Sequence, residues 1–300
     1  MFTAAAGLRG ENVPAATAFD PSAYAALRKQ LRAFYPDECH GVVKDPRQPE
    51  SEKKIAAEVR AWADAHPGFD ALDIRRESYR AMTRHFVPFL FTESPFYFEA
   101  GVNGGWSGAR PARVVNAICG RFYKEKSLIP GEAFRLLKKR NGERLALCCG
   151  PFVDDMHHVP PIRAVLAKGF GGIRADVAAA LGTCPKDDPY GRKMLETAQA
   201  GLDTLRDLQL AFAREAQKRL EDPALDATGR RYFTRIAESA QRCPWEPPKT
   251  FFEGLNTLWF IREILGYTDG VWLYSLGRPD AWLYDLYRAD LAAGRLTEAE

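Results

Sequence analysis

The chain has 300 residues, 46% hydrophobic and 27% charged, which places it outside the disordered range and makes it long enough to bury a real core. Lys and Arg total 42 against 39 Asp and Glu, and a net charge of +3 excludes a strongly basic nucleic-acid surface as the basis of function. No stretch approaches the roughly 18–20 apolar residues that a membrane-crossing helix needs, so neither nucleic acid nor membrane is an expected partner.

The first ten residues have no basic region and no sustained apolar run, so they do not read as a secretory signal. The six cysteines (Cys39, Cys119, Cys148, Cys149, Cys184 and Cys243) include no Cys-x-x-Cys pair, which fits reduced thiols in a cytoplasmic protein. No metal site is expected.

In chain order, residues 1–20 read as a flexible lead-in. Asp20-Pro21 supplies a cap and a first-turn proline for a helix over Ala23–Tyr35. Ile55, Val59 and Trp62 repeat at helical spacing until His66-Pro67-Gly68, and a further helix covers Ala71–Phe86. Four glycines between 101 and 108 make Phe96–Pro111 a loop. Helices follow around Val114–Phe122 and Glu132–Arg140, then a strand at Leu145–Cys149. Pro161–Leu181 is helical but interrupted by Gly169, Gly171 and Gly172. Tyr190–Leu220 is a long helix with an apolar stripe of Met194, Ala198, Leu202, Leu205, Leu208 and Phe212. Ala227–Arg242 is the next.

Thr250 and Glu253 then stand at capping-box spacing, the hydroxyl taking the third amide and the carboxylate reaching back to the cap. Behind them, Phe251, Leu255, Leu258, Trp259, Arg262 and Leu265 are expected along one side of a helix. Gly277-Arg-Pro-Asp280 forms a turn in which Arg278 and Asp280 pair and tie helices together. Trp282, Leu283, Leu286, Tyr287 and Leu291 mark a last helix ending at Gly294. Thr297 reads as the cap of another, so the chain is expected to be part of a longer polypeptide.

This order resembles the glycyl radical enzymes, the superfamily of pyruvate formate-lyase. The resemblance rests on Pro248, Thr250, Phe251, Glu253, Leu255 and Trp259; on Gly277, Arg278 and Asp280; and on Tyr287, Asp290, Leu291, Gly294, Leu296 and Thr297. A fainter likeness runs from His158 to Ile173, where His157, Pro161-Ile162 and, farther on, Pro279 depart from the family pattern. The match is best over residues 245–300.

The resemblance implies an α/β, helix-rich fold: residues 1–300 as the N-terminal part of a pyruvate formate-lyase-like domain and of its ten-stranded α/β barrel. It implies lyase, dehydratase or formate C-acetyltransferase-like chemistry on a small polar substrate in anaerobic cytoplasm. The glycyl radical would be installed by a radical S-adenosylmethionine activating enzyme, with a homodimer left open. The relay cysteine and the radical glycine are expected beyond Glu300, so no catalytic residue is assigned here and no cofactor is bound. Cys148-Cys149 precedes the Thr250 helix, the wrong order for the family's thiol, and reads as two buried apolar residues.

Candidate pocket residues are Asp154, Asp155, His157 and His158, which could move protons, ligate a metal or form a solvated turn. Asn103, Trp106 and Arg110 in the glycine-rich loop could line a small-molecule site or merely connect elements. A non-catalytic helical scaffold that kept the barrel wall is the second reading.

Overall fold

The computed structural model describes residues 25–34, 47–92, 94–98, 160–269 and 275–297. Among these residues the chain forms eight α-helices and no β-strand: α1 (Ala25–Phe34), α2 (Arg47–Ala65), α3 (Ala71–His85), α4 (Ile162–Thr183), α5 (Pro189–Leu220), α6 (Ala227–Arg242), α7 (Phe251–Asp269) and α8 (Pro279–Ala292). No helix among them is long and apolar enough to cross a membrane. The expected lead-in, the strand at 145–149, the helices around 114–122 and 132–140 and the loop beyond Phe98 lie outside the described residues.

Aspartates start three of the helices. The Asp70 carboxylate accepts the amides of Leu72 and Asp73, while Asp73 accepts the Asp70 amide, closing a capping box on α3. Asp188 accepts the Gly191 amide before Pro189 opens α5, and Asp226 accepts the Gly229 amide at the start of α6. Each such cap is worth about 1 kcal/mol.

With 32 residues, α5 spans about 48 Å at ~1.5 Å per residue and is the axis of the assembly. It packs against α6, α3 and α4; α2 covers α3, and α7 packs on α4 and α8. The larger core joins Ile55 and Val59 of α2, Met82 of α3, Leu208 and Phe212 of α5, and Phe233 and Ile236 of α6 to Phe260 and Tyr267 of α7. The smaller joins Ile162 and Val165 of α4, Leu258 and Ile261 of α7, and Leu283 of α8. Of the side its spacing suggested, Phe251, Leu255, Leu258 and Leu265 meet the smaller core, while Trp259 joins Phe260, Ile264 and Tyr267 on a second apolar side facing the larger one. A helix that is apolar all round is one buried all round.

The expected interruption of α4 is a single break, at Gly169 (φ 66°); Gly171 and Gly172 remain helical. A Cβ on Gly169 would lie 2.2 Å from the Trp245 carbonyl oxygen, and one on Gly171 would lie 2.8 Å from the Trp245 ring. The amides of Phe170 and Gly171 leave the helical ladder to donate to the carbonyls of Pro244 and Trp245, at 3.0 and 2.8 Å. Gln209 secures the same turn: it accepts the Trp245 amide and donates to the Ala240 carbonyl, both at 2.8 Å.

Candidate functional site

An apolar groove of about 630 Å³ runs between α3, α4, α5 and α7, with Leu72, Tyr79, Val165, Leu202 and Ile264 among its walls. The hydroxyls of Thr197 and Thr268 also reach this lining but donate to carbonyls of their own helices, Lys193 and Ile264, both at 2.8 Å. That satisfies both hydroxyls, and the lining is mainly apolar with Arg75 as its charged member. The α5 stripe divides here: Leu208 and Phe212 are fully buried, whereas Met194 on the groove is 49% exposed.

The start of α3, whose Ala71 and Leu72 line the groove, is pinned to α5 by Lys193. Its ammonium lies 2.5 Å from Asp70 and 2.7 Å from Asp73. Burial works to raise the Asp73 pKa, but hydrogen bonds from Lys193, the Asp70 amide and Arg76 outweigh it and bring it down to about 2.

Polar groups gather where α6 meets α7. Thr250 accepts the Glu253 amide at 3.2 Å, the first half of the expected capping box. The Glu253 carboxylate reaches one residue farther back than expected, accepting the Lys249 amide at 2.7 Å. Its other oxygen pairs with the Arg242 guanidinium, which also donates to the Pro247 carbonyl at 2.8 Å. Glu253 is only 8% exposed, so this ion pair is a buried strut between α6 and α7. Beside it, the Cys243 thiol lies 3.2 Å from the Thr257 hydroxyl, and burial pushes its pKa up to about 12.

The segment leading toward the glycine-rich loop docks on this junction. The Tyr97 amide donates to Asn256 on α7 at 3.0 Å, and the Tyr97 hydroxyl lies 2.6 Å from the Ser239 hydroxyl on α6. Burial raises the Tyr97 pKa well above its ordinary value. Phe98, fully buried between Phe212 and Phe260, is the one non-glycine residue with positive φ among the described residues. Aromatic packing at 5.1 and 4.6 Å between ring centroids holds a backbone conformation that costs about 1–2 kcal/mol. Trp259, half-buried on α7, carries the Arg262 guanidinium 4.8 Å over its ring.

The motif residues of α8 act differently. Gly277 takes φ 70°, and a Cβ there would lie 2.1 Å from the Trp282 ring. Arg278 grips Asp280 through two nitrogens, Nε–Oδ1 at 2.9 Å and Nη2–Oδ2 at 2.6 Å. That grip brings the Asp280 pKa down to about 2. Their side chains are 73% and 65% exposed, and the pair closes its own turn without tying two helices, a correction to the sequence expectation. The tie is made instead by Asp290, 2% exposed, which accepts the Phe251 amide at the start of α7 at 2.8 Å and is held by Arg295. After α8, Gly294 (φ 64°) donates to the Leu291 carbonyl and Arg295 to the Asp290 carbonyl, a Schellman closure.

Thus Thr250 and Glu253 meet at the α6–α7 junction, Trp259 lies farther along α7 beside Phe96 and Arg262, and Arg278 and Asp280 stand on the turn before α8. Asn103, Trp106, Arg110, Cys148, Cys149, Asp154, Asp155, His157 and His158 lie outside the described residues. Sequence reasoning missed Arg242 as the partner of Glu253 and passed over Tyr97, Ser239 and Asn256. Their signal is three-dimensional, since Tyr97 and Asn256 are 159 positions apart. Asp290 was legible only as a motif residue, not as a cap for a helix that begins 39 residues earlier.

Residues 152–300 match the model of the pyruvate formate lyase-like family. The isethionate sulfite-lyase of Desulfovibrio desulfuricans is 28% identical over 162 residues, 50% of this chain and 18% of the relative. The probable dehydratase YbiW of Escherichia coli is 26% identical over 149 residues, 49% of this chain and again 18% of the relative. Among solved structures, one concerned with 1,2-propanediol dehydration in Roseburia inulinivorans aligns at a TM-score of 0.61 with 17% identity, covering 86% of this chain and 36% of that one. The glycerol-bound, B12-independent glycerol dehydratase of Clostridium butyricum aligns at 0.57 with 16% identity, covering 86% and 38%. At such identities the structural likeness concerns the fold, and it reaches the N-terminal helices that the family model leaves unmatched. The chain matches less than a fifth of the length of these curated relatives. Residues 152–300, just under half of the chain, thus carry the match to the pyruvate formate lyase-like family.

Proposed function

We propose that this chain is the N-terminal part of a glycyl radical lyase or dehydratase that cleaves a carbon–heteroatom or carbon–carbon bond of a small polar substrate. In this reading the helices form outer wall for the family's α/β barrel, and the enzyme works in anaerobic cytoplasm. Its glycyl radical is installed by a radical S-adenosylmethionine activating enzyme, and the 300-residue chain is inactive alone. The observation that carries the proposal is the family match over 152–300 together with a fold likeness covering 86% of this chain but 36% of the Roseburia structure. The named relatives are a sulfite-lyase and dehydratases, which favours carbon–heteroatom cleavage over acetyl transfer to formate.

The two cysteines among the described residues do not fit a radical relay. Cys243 is sealed between α6 and α7 against Thr257, and Cys184 follows α4, where it lies 3.8 Å from the Asp188 carbonyl. Neither lines the groove. A relay thiol must face its substrate in a water-excluded cavity. The relay and radical residues therefore belong, in this proposal, to polypeptide other than the described helices. Asp154, Asp155, His157, His158, Asn103, Trp106 and Arg110 remain its candidates for proton transfer and substrate contact.

The test is paramagnetic resonance on the purified 300-residue chain after anaerobic incubation with a radical S-adenosylmethionine activase and its reductant. No glycyl signal is expected. A stable signal accompanied by substrate turnover would overturn the proposal.

A further inference from the structure

We draw no further inference here: the strongest candidate, the apolar groove between α3, α4, α5 and α7 with Tyr190 and Met194 exposed along it, is an unpartnered apolar face, and nothing in the structure shows what covers it.

Discussion

Two arginine–carboxylate pairs, both adjoining family motifs, behave in opposite ways. Arg242–Glu253 is enclosed between α6 and α7, and Glu253 also accepts a backbone amide. Arg278–Asp280 has good bidentate geometry yet stands in solvent, within three residues of one turn. Solvent screening strips an exposed pair of most of its worth, whereas a buried carboxylate that loses its role leaves a cation desolvated. Neighbouring motifs can therefore hold their places in the fold for unrelated physical reasons: at the first site the charge pair matters, at the second the glycine that shapes the turn.

Glu253→Gln offers the strongest way to break this contrast. It leaves the half-buried Arg242 with only the exposed Glu246, 3.5 Å away, as countercharge and is expected to cost about 3 kcal/mol, read from urea unfolding. Combining Arg242→Met with Glu253→Leu should recover part of that loss, because both charges then leave together. At the other site, Gly277→Ala forces a left-handed residue against the Trp282 ring and is expected to cost about 2 kcal/mol in the same assay.

A smaller effect should appear in acid. The folded pKa of Asp73 is lowered to about 2, so its contribution is present above the unfolded value near 4 and disappears as pH falls from about 4 to 2. Unfolding midpoints measured across that window should fall less for Asp73→Asn than for the parent. If the two profiles coincide, the Lys193 contact does not hold α3 to α5. Asp280→Asn, finally, should leave the unfolding midpoint unchanged; a large loss there would erase the distinction between the two pairs.

What could be read beforehand followed from local signals. The ends of α5, α6 and α8 were legible because prolines, aspartates and Gly294 act within a few residues of where they stand. One apolar side of α7 was read from its spacing, but its second side was missed because nothing local says that another core lies behind it. The same limit hid the Arg242–Glu253 strut: capping-box spacing announced Glu253 as a cap, and only the packing of α6 shows its second duty. The stripe on α5 was correct in position, but periodicity cannot tell the half entering the core at Leu208 and Phe212 from the half beside the groove at Met194.

The break in α4 also separates what its two halves can transmit. An unbroken α-helix carries torsion along its axis because every turn is bonded to the next. At Gly169 that chain of bonds is diverted, and the next two amides are anchored outside the helix on Pro244 and Trp245. Ile162 and Val165 before the break are packed on α7, Phe170 and Gly171 are bonded to the turn after α6, and farther on Arg174 is bridged to Asp203 of α5. One continuous stretch of sequence is thereby shared among three neighbours, and the residue without a side chain at Gly169 is what allows the hand-over.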